Sequence, residues 1–164
     1  MAQAPARSSA KTKWLTPAEM RTWRAFVDLT LQLRAETEQA LLEAHGLTEG
    51  EYGVLVLLSE AEDRRLRMCD LAAALRLSPS GLTRRIDGLV KRGYVTREPS
   101  PGDRRVMLAV LTEEGLHTLE AAAPTHVASV RASLIDHLDP EDLERLADLI
   151  EKVHASRGSI GPAA

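Results

Sequence analysis

The chain has 164 residues, 27% of them charged, and a formal net charge of −3. That length fits one domain with a core of its own, small enough to lean on a partner chain. A lone cysteine, Cys69, excludes an intramolecular disulfide framework, and no apolar run approaches the ~20 residues that cross a bilayer, so a cytoplasmic protein is expected.

Residues 1–13 lack the hydrophobic stretch of a secretory signal and read as a flexible arm. Thr16, Pro17 and Glu19 then supply an N-cap, a proline at the first helical position and a glutamate at N3. Apolar residues from Trp23 through Phe26, Val27 and Leu31 to Leu42 recur at helical spacing, and Gly46 reads as the stop. A second capping box, Thr48 with Glu51, opens a helix through Tyr52, Val54, Leu55 and Leu58. The charged stretch from Glu60 to Arg67 reads as a connector.

A short helix is predicted over Met68 to Leu75. Ser78 and Pro79 start the next one at once, as N-cap and N1, and Gly93 ends it. Leu82, Ile86, Leu89 and Val90 form its apolar stripe, leaving Ser80, Thr83, Arg84, Arg85 and Lys91 to other faces. Residues 94–97 and 106–111 read as two strands joined by Pro99-Ser100-Pro101-Gly102-Asp103, which is turn chemistry throughout. Thr112 caps an Ala- and Leu-rich helix to about Leu138, which Pro124 should kink or split. A last amphipathic helix follows Asp139-Pro140, and the end of the chain reads as a loose tail.

Charge is unevenly placed along this order. Between Arg64 and Arg105 stand eleven Lys and Arg against four Asp and Glu, a local balance of +7, so the rest of the chain carries −10. Affinity for a polyanion depends on the face presented, and this segregation favours a localised nucleic-acid surface. Arg84 and Arg85 suit guanine edges or phosphates because guanidinium is a planar fork. Ser78, Ser80 and Thr83 place short hydroxyls near a helix N-terminus, where backbone N–H groups also favour phosphate. Arg104 and Arg105, at the tip of a hairpin, are placed to reach an adjacent minor groove, with Asp103 expected to orient Arg105 by a salt bridge.

Asp103-Arg104-Arg105, followed by Leu111-Thr112-Glu113-Glu114-Gly115, resembles the D-x-R…LT-x-x-G signature of the MarR family of winged-helix regulators. Leu82-Thr83-Arg84, Ile86-Asp87 and Gly93-Tyr94-Val95 are similar to that family's recognition helix and the start of its wing. The resemblance spans roughly residues 17–155. It implies a mainly α fold with a small β-wing (α+β), a winged helix-turn-helix with N- and C-terminal dimerisation helices. Residues 47–111 would form the DNA-binding lobe, 14–46 and 112–157 the dimerisation helices, 1–13 the arm and 158–164 a flexible tail.

The same resemblance implies a homodimer on a pseudo-palindromic double-stranded operator, acting as a repressor released by a small-molecule effector. Ser78, Ser80, Thr83, Arg84, Arg85, Arg104 and Arg105 carry the DNA role, with Asp103 in support. Where many members have arginine after Asp87 this chain has Gly88, so no DNA contact is expected from that position. An effector crevice would draw on Trp14, Trp23, Met68, His117 and Arg131, against the plainer reading of Trp23 and Met68 as core. The five histidines lack metal-ligand spacing and read as surface residues, so neither metal nor cofactor is expected. Cys69 reads as a buried, inert thiol. No catalytic triad or phosphate loop is legible, which argues against an enzyme; the alternative function is a winged-helix protein-interaction module without sequence-specific DNA reading.

Overall fold

The computed structural model describes residues 12–156, which form six α-helices and a three-stranded antiparallel sheet. In chain order these are α1 (Pro17–His45), α2 (Glu49–Glu60), β1 (Arg65–Arg67), α3 (Met68–Ala74), α4 (Pro79–Lys91), β2 (Val95–Pro99), β3 (Met107–Leu111), α5 (Glu113–Ser133) and α6 (Pro140–Ser156). The predicted arm, residues 1–13, and tail, 158–164, lie outside the described residues apart from Thr12 and Lys13. Contacts divide the chain into two compact units, Met1–Gln32 and Leu33–Ala164.

The described part of the first unit is residues 12–16 and the N-terminal half of α1. Its start is built as the sequence predicts: Thr16 N–H donates to Glu19 Oε2 at 2.7 Å, and Glu19 N–H donates to Thr16 Oγ1 at 3.3 Å. This reciprocal cap satisfies two of the donors that every helix N-terminus leaves over. Trp14 is 82% exposed, and Trp23, Phe26, Leu29 and Leu31 are exposed with it.

In the second unit the core gathers Leu41 and Leu47 with Val54, Leu55 and Leu58 of α2, Leu71 of α3, and Leu82, Ile86 and Leu89 of α4. Val95, Ala109 and Leu111 of the sheet close it from one side, Leu119 and Ala122 of α5 from another. The predicted stripe of α4 is therefore the face that holds this helix to the core, except that Val90 is exposed. Gly46 and Gly93 take left-handed backbone, at φ +63° and +78°, directly after α1 and α4. Both helices stop where the sequence predicts, in a conformation that costs glycine little.

The structure corrects the sequence reading in three places. The connector contains β1, whose Arg65, Leu66 and Arg67 pair with Val110, Ala109 and Leu108, so β3 is the central strand of a three-stranded wing. Three residues with Leu66 between two arginines give too short a pattern to reveal a strand. Of the two outcomes expected at Pro124, the split does not occur: α5 runs through it as one element, since a proline removes one hydrogen bond and Leu119 and Ala122 pack into the core just before it. That helix stops at Ser133, and a 3-10 turn, Ile135–His137, leads to α6.

Two histidines are not simple surface residues. His45 Nε2 lies 2.8 Å from Thr125 Oγ1, and the His126 ring stacks on Tyr52 with 4.6 Å between centroids. Burial holds His126 below its usual pKa, against a smaller opposing pull from the Glu49 carboxylate. A neutral imidazole favoured by the fold means that the unfolded chain binds more protons as pH falls below about 6.5. The contribution is present above that pH and is lost as pH falls toward the folded-state pKa. His126→Phe keeps the stack without the titration, so its melting temperature should fall less than the parent's between about pH 8 and pH 5. Equal slopes would remove His126 from the acid sensitivity.

Candidate nucleic-acid interface

Helix α4 begins with Ser78, whose Oγ accepts from Gly81 N–H at 3.1 Å while Pro79 occupies the first turn. The cap fixes where the helix starts and therefore which side chains its outer face carries. Ser78, Ser80, Thr83 and Arg84 are all exposed, on the side away from Leu82, Ile86 and Leu89. Ser80 Oγ sits 3.2 Å from Ser78 Oγ, and the Thr83 hydroxyl donates to the Pro79 carbonyl at 2.9 Å. Thr83 thus spends its proton on the backbone and presents a methyl group and oxygen lone pairs outward.

Arg85 does not share this face. One residue turns a helix by 100°, and Arg85 is half-buried with its guanidinium laid over Gly50 of α2. A Cβ at Gly50 would stand 2.6 and 2.7 Å from its two terminal nitrogens. The adjacent-arginine pattern concealed that the two side chains diverge.

Position 88 also faces inward. A Cβ on Gly88 would lie 3.3 Å from Glu51 Oε1, so this residue sits against α2 and leaves no gap in the outer face. Arg92, one turn further on, supplies the cation that Glu51 receives. Its Nη2 is 2.6 Å from Glu51 Oε1, its Nη1 donates to the Gly46 carbonyl at 2.9 Å, and its guanidinium lies over the Tyr94 ring.

The wing is fixed to α4 by a residue the sequence reading overlooked. Arg97 of β2 pairs with Asp87 at 2.6 Å and donates to the Thr83 carbonyl at 3.1 Å. It thereby ties the strand to the turn of helix that carries Thr83 and Arg84. Ten residues separate Arg97 from Asp87, and only the pairing of strand and helix brings them together. At the other end of the wing, Thr112 Oγ1 lies 2.7 Å from the Gly93 carbonyl and 3.1 Å from that of Tyr94, and accepts from Gly115 N–H at 3.0 Å. The threonine of the L-T-x-x-G motif therefore caps α5 and staples it to the first residues of the wing.

At the tip, Asp103, Arg104 and Arg105 are all exposed. The expected salt bridge is replaced by a backbone contact: Asp103 Oδ1 accepts from Arg105 N–H at 2.9 Å. An aspartate that closes its own turn in this way shapes the loop and leaves the arginine side chain untethered. Among the described residues no ion pair joins the Asp103 carboxylate to the Arg105 guanidinium.

The residues expected to line an effector crevice fall in both units, Trp14 and Trp23 in the first and Met68, His117 and Arg131 in the second. His117 and Arg131 are both exposed on α5, fourteen residues and so about 21 Å of helix apart. Arg131 is paired with Asp136. Met68 packs against the core at the start of α3, and Trp23 lies in the first unit, 57% exposed. Cys69 is exposed, contrary to expectation, with its Sγ 3.4 Å from Asp70 Oδ1, because α3 is short and turns this residue outward. No cluster of metal-ligating side chains occurs among the described residues, and none of their helices is long and apolar enough to cross a membrane.

Residues 45–106 match the family model described as MarR family. Sco3205 of Streptomyces coelicolor, a MarR family transcriptional regulator crystallised in complex with DNA, is 34% identical, with 92% of this chain and 94% of that one covered at a TM-score of 0.85. AbsC, a MarR family regulator of the same organism, is 42% identical over 90% of this chain and 100% of its own, at a TM-score of 0.82. The HTH-type transcriptional repressor YetL of Bacillus subtilis is 33% identical over 66% of each chain. These relatives are transcription regulators rather than enzymes. A capped helix with a polar outer face, a three-stranded wing closed by L-T-x-x-G, and agreement along nearly the whole of two solved chains lead to one conclusion: this protein belongs to the MarR family of DNA-binding transcriptional regulators.

Proposed function

We propose that the protein is a cytoplasmic homodimeric repressor that reads a pseudo-palindromic operator with α4 and the wing, and that a small-molecule effector releases it. The observation that carries this reading is the exposed, cationic outer face of α4, standing beside an equally exposed cationic wing tip. In it, Ser80, Thr83 and Arg84 face the bases and phosphates of the major groove, with Ser78 at the helix cap nearest a phosphate. Arg104 and Arg105 extend to the neighbouring minor groove, on a loop that Asp103 shapes. Arg85 is withdrawn from the DNA-reading set, because its guanidinium lies against α2.

Dimerisation is favoured by two apolar surfaces that the single chain leaves in water. Trp14, Trp23, Phe26 and Leu31 form one, and Leu149, Ile150 and Val153 of α6 form the other. Helices with this much exposed apolar surface mark an interaction face. A two-fold pairing places two copies of α4 about 34 Å apart, one turn of DNA. Effector release is argued from family membership.

Arg84→Ala should relax sequence preference at one position of each half-site, at a cost of about 1–3 kcal/mol if the contact is bidentate. Binding of the variant to single-base operator substitutions tests this; an unaltered preference profile contradicts the assignment. Arg97→Ala should lower duplex affinity by a different route, by loosening the wing. Since no phosphate contact is lost, the salt dependence of binding stays at the parent's slope while affinity drops several-fold. A shallower slope would show that Arg97 touches the DNA itself.

A further inference from the structure

The apolar grip on α4 ends with Leu89, before the helix does. Val90 and Lys91, which follow, are exposed, and Gly93 then leaves the helical conformation. Of this last stretch only Arg92 turns inward, and its guanidinium meets three groups at once. Nη2 lies 2.6 Å from Glu51 Oε1, Nη1 donates to the Gly46 carbonyl at 2.9 Å, and the cation stands 5.0 Å from the centre of the Tyr94 ring.

The turn between α1 and α2, which receives Arg92, is itself braced. Glu51 Oε2 accepts from Thr48 N–H at 3.0 Å in the α2 capping box, leaving Oε1 for Arg92. Gly88 gives that carboxylate room, since a Cβ there would stand 3.3 Å from Oε1. His45, the last residue of α1, lies 2.8 Å from Thr125 of α5 through its Nε2. This turn therefore joins α1, α2 and α5, and Arg92 ties the end of α4 to all three.

Apolar packing holds two elements together but sets their angle weakly, because it has no direction. A planar guanidinium held by a carboxylate and a carbonyl does have one. The thirteen residues of α4 span about 20 Å, so a rotation of about 10° about the Arg92 end carries the Ser78 end by about 3.5 Å. A base-pair step along the duplex is about 3.4 Å, so a small change of angle is worth one step.

We propose that Arg92 is a positioning residue of operator reading. From the far end of α4, and without touching DNA, it fixes the angle of that helix against the α1–α2 turn and with it the half-site spacing that the dimer accepts. The guanidinium faces Glu51 and Gly46, whereas Ser80, Thr83 and Arg84 occupy the outer face. This role rests on the two-fold operator reading proposed above.

The experiment uses the full chain and its Arg92→Met and Glu51→Gln variants. Each is bound to a duplex selected from random sequence by the parent, and to copies with one base pair inserted or removed between the half-sites. Methionine keeps most of the side chain's length without the charge. Glutamine at position 51 keeps the capping box and removes the charge that Arg92 meets. Circular dichroism and melting establish that each variant folds. The parent should bind the altered spacings about tenfold or more weakly than the selected one, as paired half-sites require. In both variants affinity for the selected duplex should fall several-fold and the spacing penalty should shrink to about threefold or less, with the salt slope unchanged because no phosphate contact is lost. A general loss of stability would weaken all spacings alike and leave that ratio where it was. A folded variant that keeps the parent's spacing penalty overturns the proposal, whatever its overall affinity. So does a salt slope about one unit shallower in Arg92→Met, which would put Arg92 on a phosphate. Indifference of the parent to spacing is a separate failure, read on the parent alone, and removes the two-fold reading and this role together.

Discussion

Arg105→Ala should weaken binding to a specific operator duplex by about a hundredfold or more while the melting temperature and the oligomeric state stay those of the parent. Arg105 is exposed, and its backbone N–H, rather than its guanidinium, is what Asp103 holds. Nothing in the fold therefore depends on the side chain. A charge-assisted hydrogen bond contributes roughly 1.5–3 kcal/mol, and a two-fold-symmetric complex loses two of them, which sets the scale. Asp103→Ala offers a companion. It removes the turn closure and leaves the arginine charge, so affinity should fall with little change in salt slope. A gel-shift titration of the two variants separates loop shape from charge. Parent-like affinity for Arg105→Ala would remove the wing tip from the interface.

Gly115→Ala should be the most damaging single methyl group that can be added to the described residues near the wing. A Cβ there would stand 2.9 Å from Leu111 Cδ1 and from the Tyr94 carbonyl carbon, with the carbonyl oxygen nearer still. Leu111 is buried, and Tyr94 O lies beside Thr112 Oγ1, so neither neighbour swings aside freely. Relief requires moving the start of α5 away from the wing, which breaks the staple that Thr112 makes. Overpacking of this kind costs about 1–3 kcal/mol and more where the obstacle is backbone. Each kcal/mol lowers the midpoint of a chain this size by about 2–4 °C. Thermal unfolding of the variant measures it; a midpoint within about a degree of the parent's would mean that α5 adjusts without strain.

The helices and the wing were legible because their signals are local. Capping residues such as Thr16, Thr48 and Ser78 mark helix starts, Gly46 and Gly93 mark stops, and the stripe Leu82-Ile86-Leu89 shows which face of α4 turns inward. The exposed set Ser78, Ser80, Thr83 and Arg84 follows from that stripe alone. What stayed hidden depends on partners far along the chain. β1 exists because β3 offers it an edge, and its own three residues carry no pattern. Arg85 and Gly88 looked like part of the outer face until α2 was placed beside them, with Gly50 and Glu51 meeting each. Arg97 is an ordinary strand arginine until β2 is folded against α4, where it meets Asp87. Exposure of Cys69 and the continuity of α5 through Pro124 are likewise set by packing rather than by propensity.

The central claim is that α4 and the wing grip DNA through a small set of exposed cations, and the salt dependence of binding tests it most directly. With a duplex selected from random sequence by the full-length protein, Arg84, Arg104 and Arg105 of two protomers predict about six phosphate-scale contacts and a slope of log affinity on log salt near −5. A steep slope of that order, reduced in Arg105→Ala, is the expected result. A flat dependence, with the selected duplex bound no better than a scrambled one, would contradict the account and favour a winged helix that binds protein instead.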